Sequence, residues 1–171
     1  MSWAIWITGP PAAGKTTLAR AFKDLAAAEG TRAVHLESDA LRKILTPEAT
    51  YEPEERDRFY RELAELAALL VSQGFPVIVD ATAPRTAHRE HARARIERFF
   101  EVFVDAPEAL RRERDPKGLY RLAREGRAPH LPGAAEPYEK PQRPDLVVSG
   151  ELPAEQAAAA LLRFARQNRL V

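Results

Sequence analysis

The chain of 171 residues contains no cysteine, so disulfides, thiol nucleophiles and thiolate metal sites are excluded together. It also lacks an excess of charge of one sign: 26 Lys and Arg stand against 25 Asp and Glu. That balance argues against a nucleic-acid partner, which normally leaves a strongly basic footprint. No apolar run approaches the roughly 18 residues of a membrane-spanning helix, so no membrane association is expected. The first residues lack the basic stretch and apolar core of a secretory leader, and a cytoplasmic protein is the expectation. His35, His88, His91 and His130 have no spacing with acidic residues that would mark a metal site, and they read as structural or surface groups. The length suits one domain, 1–171, able to bury a real core.

Against these absences stands one strong presence. Gly9-Pro10-Pro11-Ala12-Ala13-Gly14-Lys15-Thr16 matches the phosphate-binding pattern GxxxxGK[ST] in full. The apolar run Trp3–Ile7 precedes it and reads as a buried strand, while the helix-favouring stretch from Thr17 follows. Glycines let backbone N–H groups turn inward around a phosphate, and the following helix presents its positive end to the same anion. In that frame Gly9 to Lys15, with Thr16 and Thr17, hold a nucleoside triphosphate; Lys15 reaches its terminal phosphates and Thr16 places a hydroxyl on Mg²⁺.

Short apolar runs then alternate with longer helical patterns, the signature of a parallel sheet covered by helices. Strands are expected near 4–8, 33–36, 77–80, 99–104 and 146–148, with helices at 14–28, 39–44, 53–73, 86–97, 107–114 and 153–168. The fold class is therefore α/β, a three-layer αβα phosphate-loop NTPase with a mostly parallel five-stranded sheet. The segment 115–144, rich in Arg, Gly and Pro, reads largely as a mobile lid.

Ligands of such sheets gather at the carboxyl ends of the strands. Asp39, just after the second strand, could orient or deprotonate an attacking hydroxyl, and could equally cap the helix it begins. Arg42 stands where it could hold an anionic part of the acceptor. Asp80, ending the third strand, is either a Mg²⁺-binding carboxylate or a cap for the next turn. Arg85 and Arg89 follow it and divide between substrate contact and a solvated helix face. Among the arginines flanking the lid, Arg114 is the best placed to stabilise charge on a phosphoryl group in flight. No guanine-reading NKxD pattern is present, which disfavours a nucleotide switch.

Several further stretches resemble the adenylyl-sulfate kinase family, from the phosphate loop to about Asp145. Asp115-Pro116-Lys117-Gly118-Leu119-Tyr120 is the same as that family's DPKGLY signature, Val104–Pro107 is similar to its VDAP stretch, and Pro137–Pro141 to its PYExP. The resemblance implies ATP and Mg²⁺ as cofactors, phosphorylation of the 3′-hydroxyl of adenosine 5′-phosphosulfate, and a homodimer by family analogy. It places the DGDNVR box on Glu37–Arg42, making Asp39 catalytic and Arg42 a substrate clamp. The family's FSPEDR segment falls on Tyr51–Arg56, so Tyr51 would stack on adenine and Arg56 would bind substrate; Lys117 is the basic residue of the lid. The chain departs from the pattern at Ala40 and Phe59, each in place of an asparagine, and at Leu131, in place of the lid aromatic. The turn Asp80-Ala81-Thr82 replaces a serine-containing one and is closer to small-molecule and polynucleotide kinases. Losing one stacking face would remove about 1–3 kcal/mol of base recognition. The donor half of the implied site is intact; the acceptor half is altered, which leaves another small hydroxyl metabolite as the second reading.

Overall fold

The computed structural model describes residues 2–134 and 136–171; Met1, and Ala135 within the predicted lid, lie outside it. Five strands form one parallel sheet: β1 (Ala4–Thr8), β2 (Val34–Glu37), β3 (Val77–Asp80), β4 (Phe99–Asp105) and β5 (Leu146–Ser149), ordered β2-β3-β1-β4-β5. Their continuous apolar runs are what a sheet covered on both faces requires. Alternation along β1 sorts its side chains between two cores. Ile5 and Ile7 join Ile78, Val102 and Val104 beneath α1 (Lys15–Ala28) and α7 (Ala154–Gln167). Ala4 and Trp6 join Val77, Val79 and Phe99 beneath α3 (Pro53–Ser72) and α4 (Thr86–Arg95). The expected αβα layering is thereby observed, with the short α2 (Ser38–Leu45) and α5 (Glu108–Arg114) at the carboxyl edge.

Most element boundaries fall within two residues of expectation. Leu69 on α3 is 54% exposed. The segment 115–144, read largely as a lid, contains α6 (Leu119–Arg124), masked in the sequence by the Pro116 and Gly118 that precede it. Asp115 starts this helix by accepting the backbone N–H groups of Tyr120 and Arg121, both at 3.1 Å. Gly118 sits immediately before it with φ 64°, a conformation that costs a glycine little.

The end of the same segment is fastened to the body. Glu139 N–H donates to the Pro84 carbonyl at 2.8 Å, and its carboxylate accepts the Thr86 N–H at 2.6 Å. Tyr138 lies parallel to Phe103 and hydrogen-bonds Thr8 at 2.9 Å. The Thr8 hydroxyl is itself committed to the Thr82 carbonyl at 2.7 Å, so Tyr138 is the donor. Burial pushes the Tyr138 pKa up to about 12, keeping that proton in place at any working pH.

Candidate active site

The sheet order sets β1 between β3 and β4, so the loop after β1 opens between the ends of its neighbours. That loop wraps the N-terminus of α1, with Gly14 at φ 105° as the residue before the helix and Ala12 also left-handed at φ 61°. A cleft of about 870 Å³ opens over it, bounded by loop residues Pro11 to Thr17, by Asp39, Asp80, Arg114 and Lys117, and by the turn 149–153 after β5. Pro10 faces a separate cavity beside β4, and Gly9 packs against Val104. Of the expected phosphate-binding residues, Pro11 to Thr17 therefore line the cleft at the start of α1, where a helix N-terminus suits an anion, and Gly9 and Pro10 do not.

Lys15 bends back over its own loop and donates to the carbonyls of Gly9 and Pro10 at 2.8 and 2.9 Å. Burial lowers its pKa from 10.5 to about 8; Asp80 and Asp39 oppose that shift, while Lys117 and Arg111 add to it. An arriving phosphate, as an anionic partner, would favour the charged form and raise that pKa again. Thr16 donates its hydroxyl to Asp80 Oδ1 at 3.3 Å, and Asp80 Oδ2 meets His35 Nε2 at 2.8 Å. Asp80 is buried, at the end of β3. Two hard oxygen donors, a hydroxyl and a carboxylate, converge at the helix start, which suits a Mg²⁺ that keeps several waters. Arg114 lies at the mouth, its guanidinium beside Gly14.

The DPKGLY stretch acts here through contacts. Lys117 reaches across the cleft to pair with the Asp39 carboxylate; both side chains are more than half exposed, so the pair contributes little to stability. Tyr120 is buried and donates its hydroxyl to the Pro11 carbonyl at 3.1 Å, while Arg111 donates to the same hydroxyl. The tyrosine therefore props the phosphate loop from behind. Asp39 lies in the first turn of α2, so its capping and site-facing readings are both open to it by position, yet no side-chain cap is formed.

Arg42, one turn further along α2, is buried. Its guanidinium lies 4.1 Å from the Phe59 ring centroid and 4.9 Å from that of Tyr51. Glu55 fixes this arrangement: one carboxylate oxygen accepts Arg42 at 2.7 Å and the other accepts the Tyr51 N–H at 2.8 Å. Tyr51 is half exposed and adopts φ 61°, a left-handed backbone for a bulky residue. Phe59 is fully buried and serves as the floor under Arg42. Arg56 is also buried, donating to Glu136 at 2.8 Å and to the His130 carbonyl at 2.6 Å. Leu131 is buried in the turn beside that ion pair.

The arginines after β3 divide. Arg85 pairs with Asp57 through both carboxylate oxygens, at 3.0 and 2.8 Å. Arg89 is not on a solvated face: it is buried, donates to the Ala83 and Glu139 carbonyls, and pairs with Glu101 at 2.7 Å. It holds the end of the lid segment to the body and does not face the cleft. Sequence reasoning did not foresee the His35 contact with Asp80, since the partner lies on the neighbouring strand and no local spacing announces it.

The chain is similar to known proteins. The adenylylsulphate kinase family model matches residues 1–149. A probable adenylyl-sulfate kinase of Archaeoglobus fulgidus is 43% identical over 148 residues, covering 86% of this chain and 96% of the relative. An adenylyl-sulfate kinase of Paraburkholderia xenovorans is 40% identical over 160 residues, covering 92% and 89%. Among solved structures, the Mycobacterium tuberculosis APS kinase in complex with AMPPNP and APS superposes with a TM-score of 0.91 at 32% identity, covering 96% of this chain and 98% of that one. With the family model spanning most of its length and the phosphate loop, cleft and DPKGLY contacts in place, the chain belongs to the adenylylsulphate kinase family.

Proposed function

We propose that the chain transfers the γ-phosphoryl group of ATP to the 3′-hydroxyl of adenosine 5′-phosphosulfate, releasing ADP and a proton. Lys15 and the loop N–H groups hold the phosphates, and Arg114 balances charge on the group in transfer. Mg²⁺, held by Thr16 and Asp80, would neutralise phosphate charge when bound. Asp39 takes the acceptor hydroxyl as base or orienting group once nucleotide and acceptor draw Lys117 away. Arg42 and Arg56 serve the acceptor's anionic end, with Tyr51 beside its base. Closure of 115–134 over the cleft excludes water, without which ATP hydrolysis competes with transfer. The remainder of the proposed lid, anchored through Tyr138 and Glu139, stays with the body.

The observation that supports this reading is the facing of Asp39 and Lys117 across the phosphate-loop cleft, a place from which a carboxylate can meet an acceptor hydroxyl. Pairing of two copies is proposed by family analogy, and one domain in the cytoplasm from length and composition; sedimentation of the purified protein reads the pairing directly. The engagement of Arg56 by Glu136, with Leu131 where the family has an aromatic, supports the second reading, another small hydroxyl acceptor on the same machinery. ADP release with Mg²⁺, comparing adenosine 5′-phosphosulfate with sugar acids and nucleosides, separates the two. Stimulation by adenosine 5′-phosphosulfate that vanishes in Lys15→Ala supports the first, and stimulation confined to another acceptor supports the second.

A further inference from the structure

In this chain β3 ends on Asp80, followed by Ala81 and Thr82. Strands β2 and β3 run parallel with His35 beside Ile78 and Glu37 beside Asp80. In a parallel pair, residues two apart share a face, so His35, Glu37 and Asp80 all project toward the α1 side, where Ile78 is packed. There α1 answers each carboxylate with a residue one turn apart. Thr16 donates to Asp80 Oδ1 at 3.3 Å, and Arg20 donates to Glu37 at 2.9 Å. The remaining oxygen of Asp80 is met by His35 Nε2 at 2.8 Å, and the side chains of this pair are 10% and 3% exposed.

A buried carboxylate has two oxygens and a soft terminal torsion, so one partner alone does not fix which oxygen faces the site. With His35 on Oδ2, Oδ1 is the oxygen left beside the Thr16 hydroxyl at the start of α1. Outer hydrogen bonds of this kind orient metal-binding groups, and losing one typically costs about 10–100-fold in metal affinity. We propose that His35 is a positioning residue for the divalent cation: by holding one oxygen of Asp80 it presets the other, with Thr16, as a pair of hard donors. The proposal rests on the reading that Thr16 and Asp80 hold Mg²⁺. His35 acts on Asp80 and not on the cation, since its Nε2 is taken by the Asp80 carboxylate.

The test is binding of Mn²⁺, followed by electron paramagnetic resonance, to the full chain saturated with ADP. His35→Ala is expected to weaken Mn²⁺ by about 10–100-fold. His35→Gln, whose amide nitrogen reaches the place of Nε2, retains near-normal affinity. ADP affinity without metal is unchanged in both, which a general loosening of the fold would not allow. Should His35→Ala fail to fold, His35→Asn, whose shorter amide cannot reach Asp80, takes its place. Unchanged Mn²⁺ affinity in the short variant, or equal losses in the short and long ones, overturns the proposal. Asp80→Asn separates the two failures. If it too binds Mn²⁺ normally, the metal reading of Asp80 falls and takes the proposal with it. If it binds weakly while His35→Ala binds normally, only the role of His35 falls.

Discussion

Gly150 is a single atom group on which the cleft's shape depends. It follows β5, is buried, and donates its N–H to the Asp105 carbonyl at 2.7 Å. A Cβ added there would lie 2.5 Å from Ala106 Cβ, 2.9 Å from the Ala13 carbonyl oxygen and 3.1 Å from Ala106 Cα. Carbon atoms prefer separations near 3.5–4.0 Å, and two of the three neighbours are backbone atoms that cannot swing aside. In Gly150→Ala the turn after β5 must therefore move away from the phosphate loop by roughly 1 Å, inferred from that contact preference. Overpacking of this kind costs about 1–3 kcal/mol. For a chain of this size that is a fall in Tm of about 2–12 °C. Because the turn and Ala13 both border the nucleotide cleft, KM for ATP should rise as well. Ala106→Gly removes the tightest contact, so the double variant should recover part of the loss, with a coupling of about 0.5–3 kcal/mol. The Ala13 contact remains and keeps recovery incomplete. Thermal unfolding by circular dichroism and initial rates against ATP read both effects. A Gly150→Ala protein within about 0.5 kcal/mol of wild type, the range of an ordinary surface change, with an unchanged KM, would refute this packing.

Two further perturbations follow from buried pairs. Glu55→Ala releases both Arg42 and the Tyr51 N–H, and charge-assisted bonds contribute about 1.5–3 kcal/mol, so KM for the acceptor should rise about ten- to a hundredfold while KM for ATP stays put. Equal changes in both constants would remove Glu55 from the acceptor side. His88 has its pKa lowered chiefly by burial, against the opposing pull of Asp57. Below its ordinary 6.5 the unfolded chain takes up a proton that the folded one refuses, so stability falls as pH drops from 6.5 toward the folded value. One proton sets a limit of about 1.4 kcal/mol per pH unit. Unfolding of His88→Gln between pH 5 and 7 should show a shallower slope than wild type; an identical slope would place the titrating group elsewhere. The depressed carboxyls of Asp57, Glu55 and Glu139 act only below their own ordinary range near pH 4, outside that window.

The strands, the phosphate loop and the helix after it were legible because their signals are local: apolar runs, then glycines at fixed offsets. The DPKGLY stretch was legible as a resemblance, but its mechanics were not. That Tyr120 supports Pro11, and that Asp115 starts α6, depends on a chain reversal that Pro116 and Gly118 conceal. Arg89 was read partly as a solvated helix residue because charge on a helix usually is solvated. Its burial comes from carbonyls and a carboxylate delivered by residues 83, 101 and 139, which no periodicity reveals. Asp80 could be read as metal-binding or as a cap; its pairing with His35 crosses two strands and is visible only once they are in register.

In the proposed reaction Asp39 serves as acceptor base opposite an ATP-binding loop and acts on one substrate. Chromatography with mass spectrometry of the products from ATP, Mg²⁺ and adenosine 5′-phosphosulfate tests it most directly. The account predicts ADP in step with an adenosine 5′-phosphosulfate that carries one new phosphate on its 3′-oxygen, lost in Lys15→Ala and Asp39→Asn. ATP consumed with adenosine 5′-phosphosulfate left unmodified would contradict it.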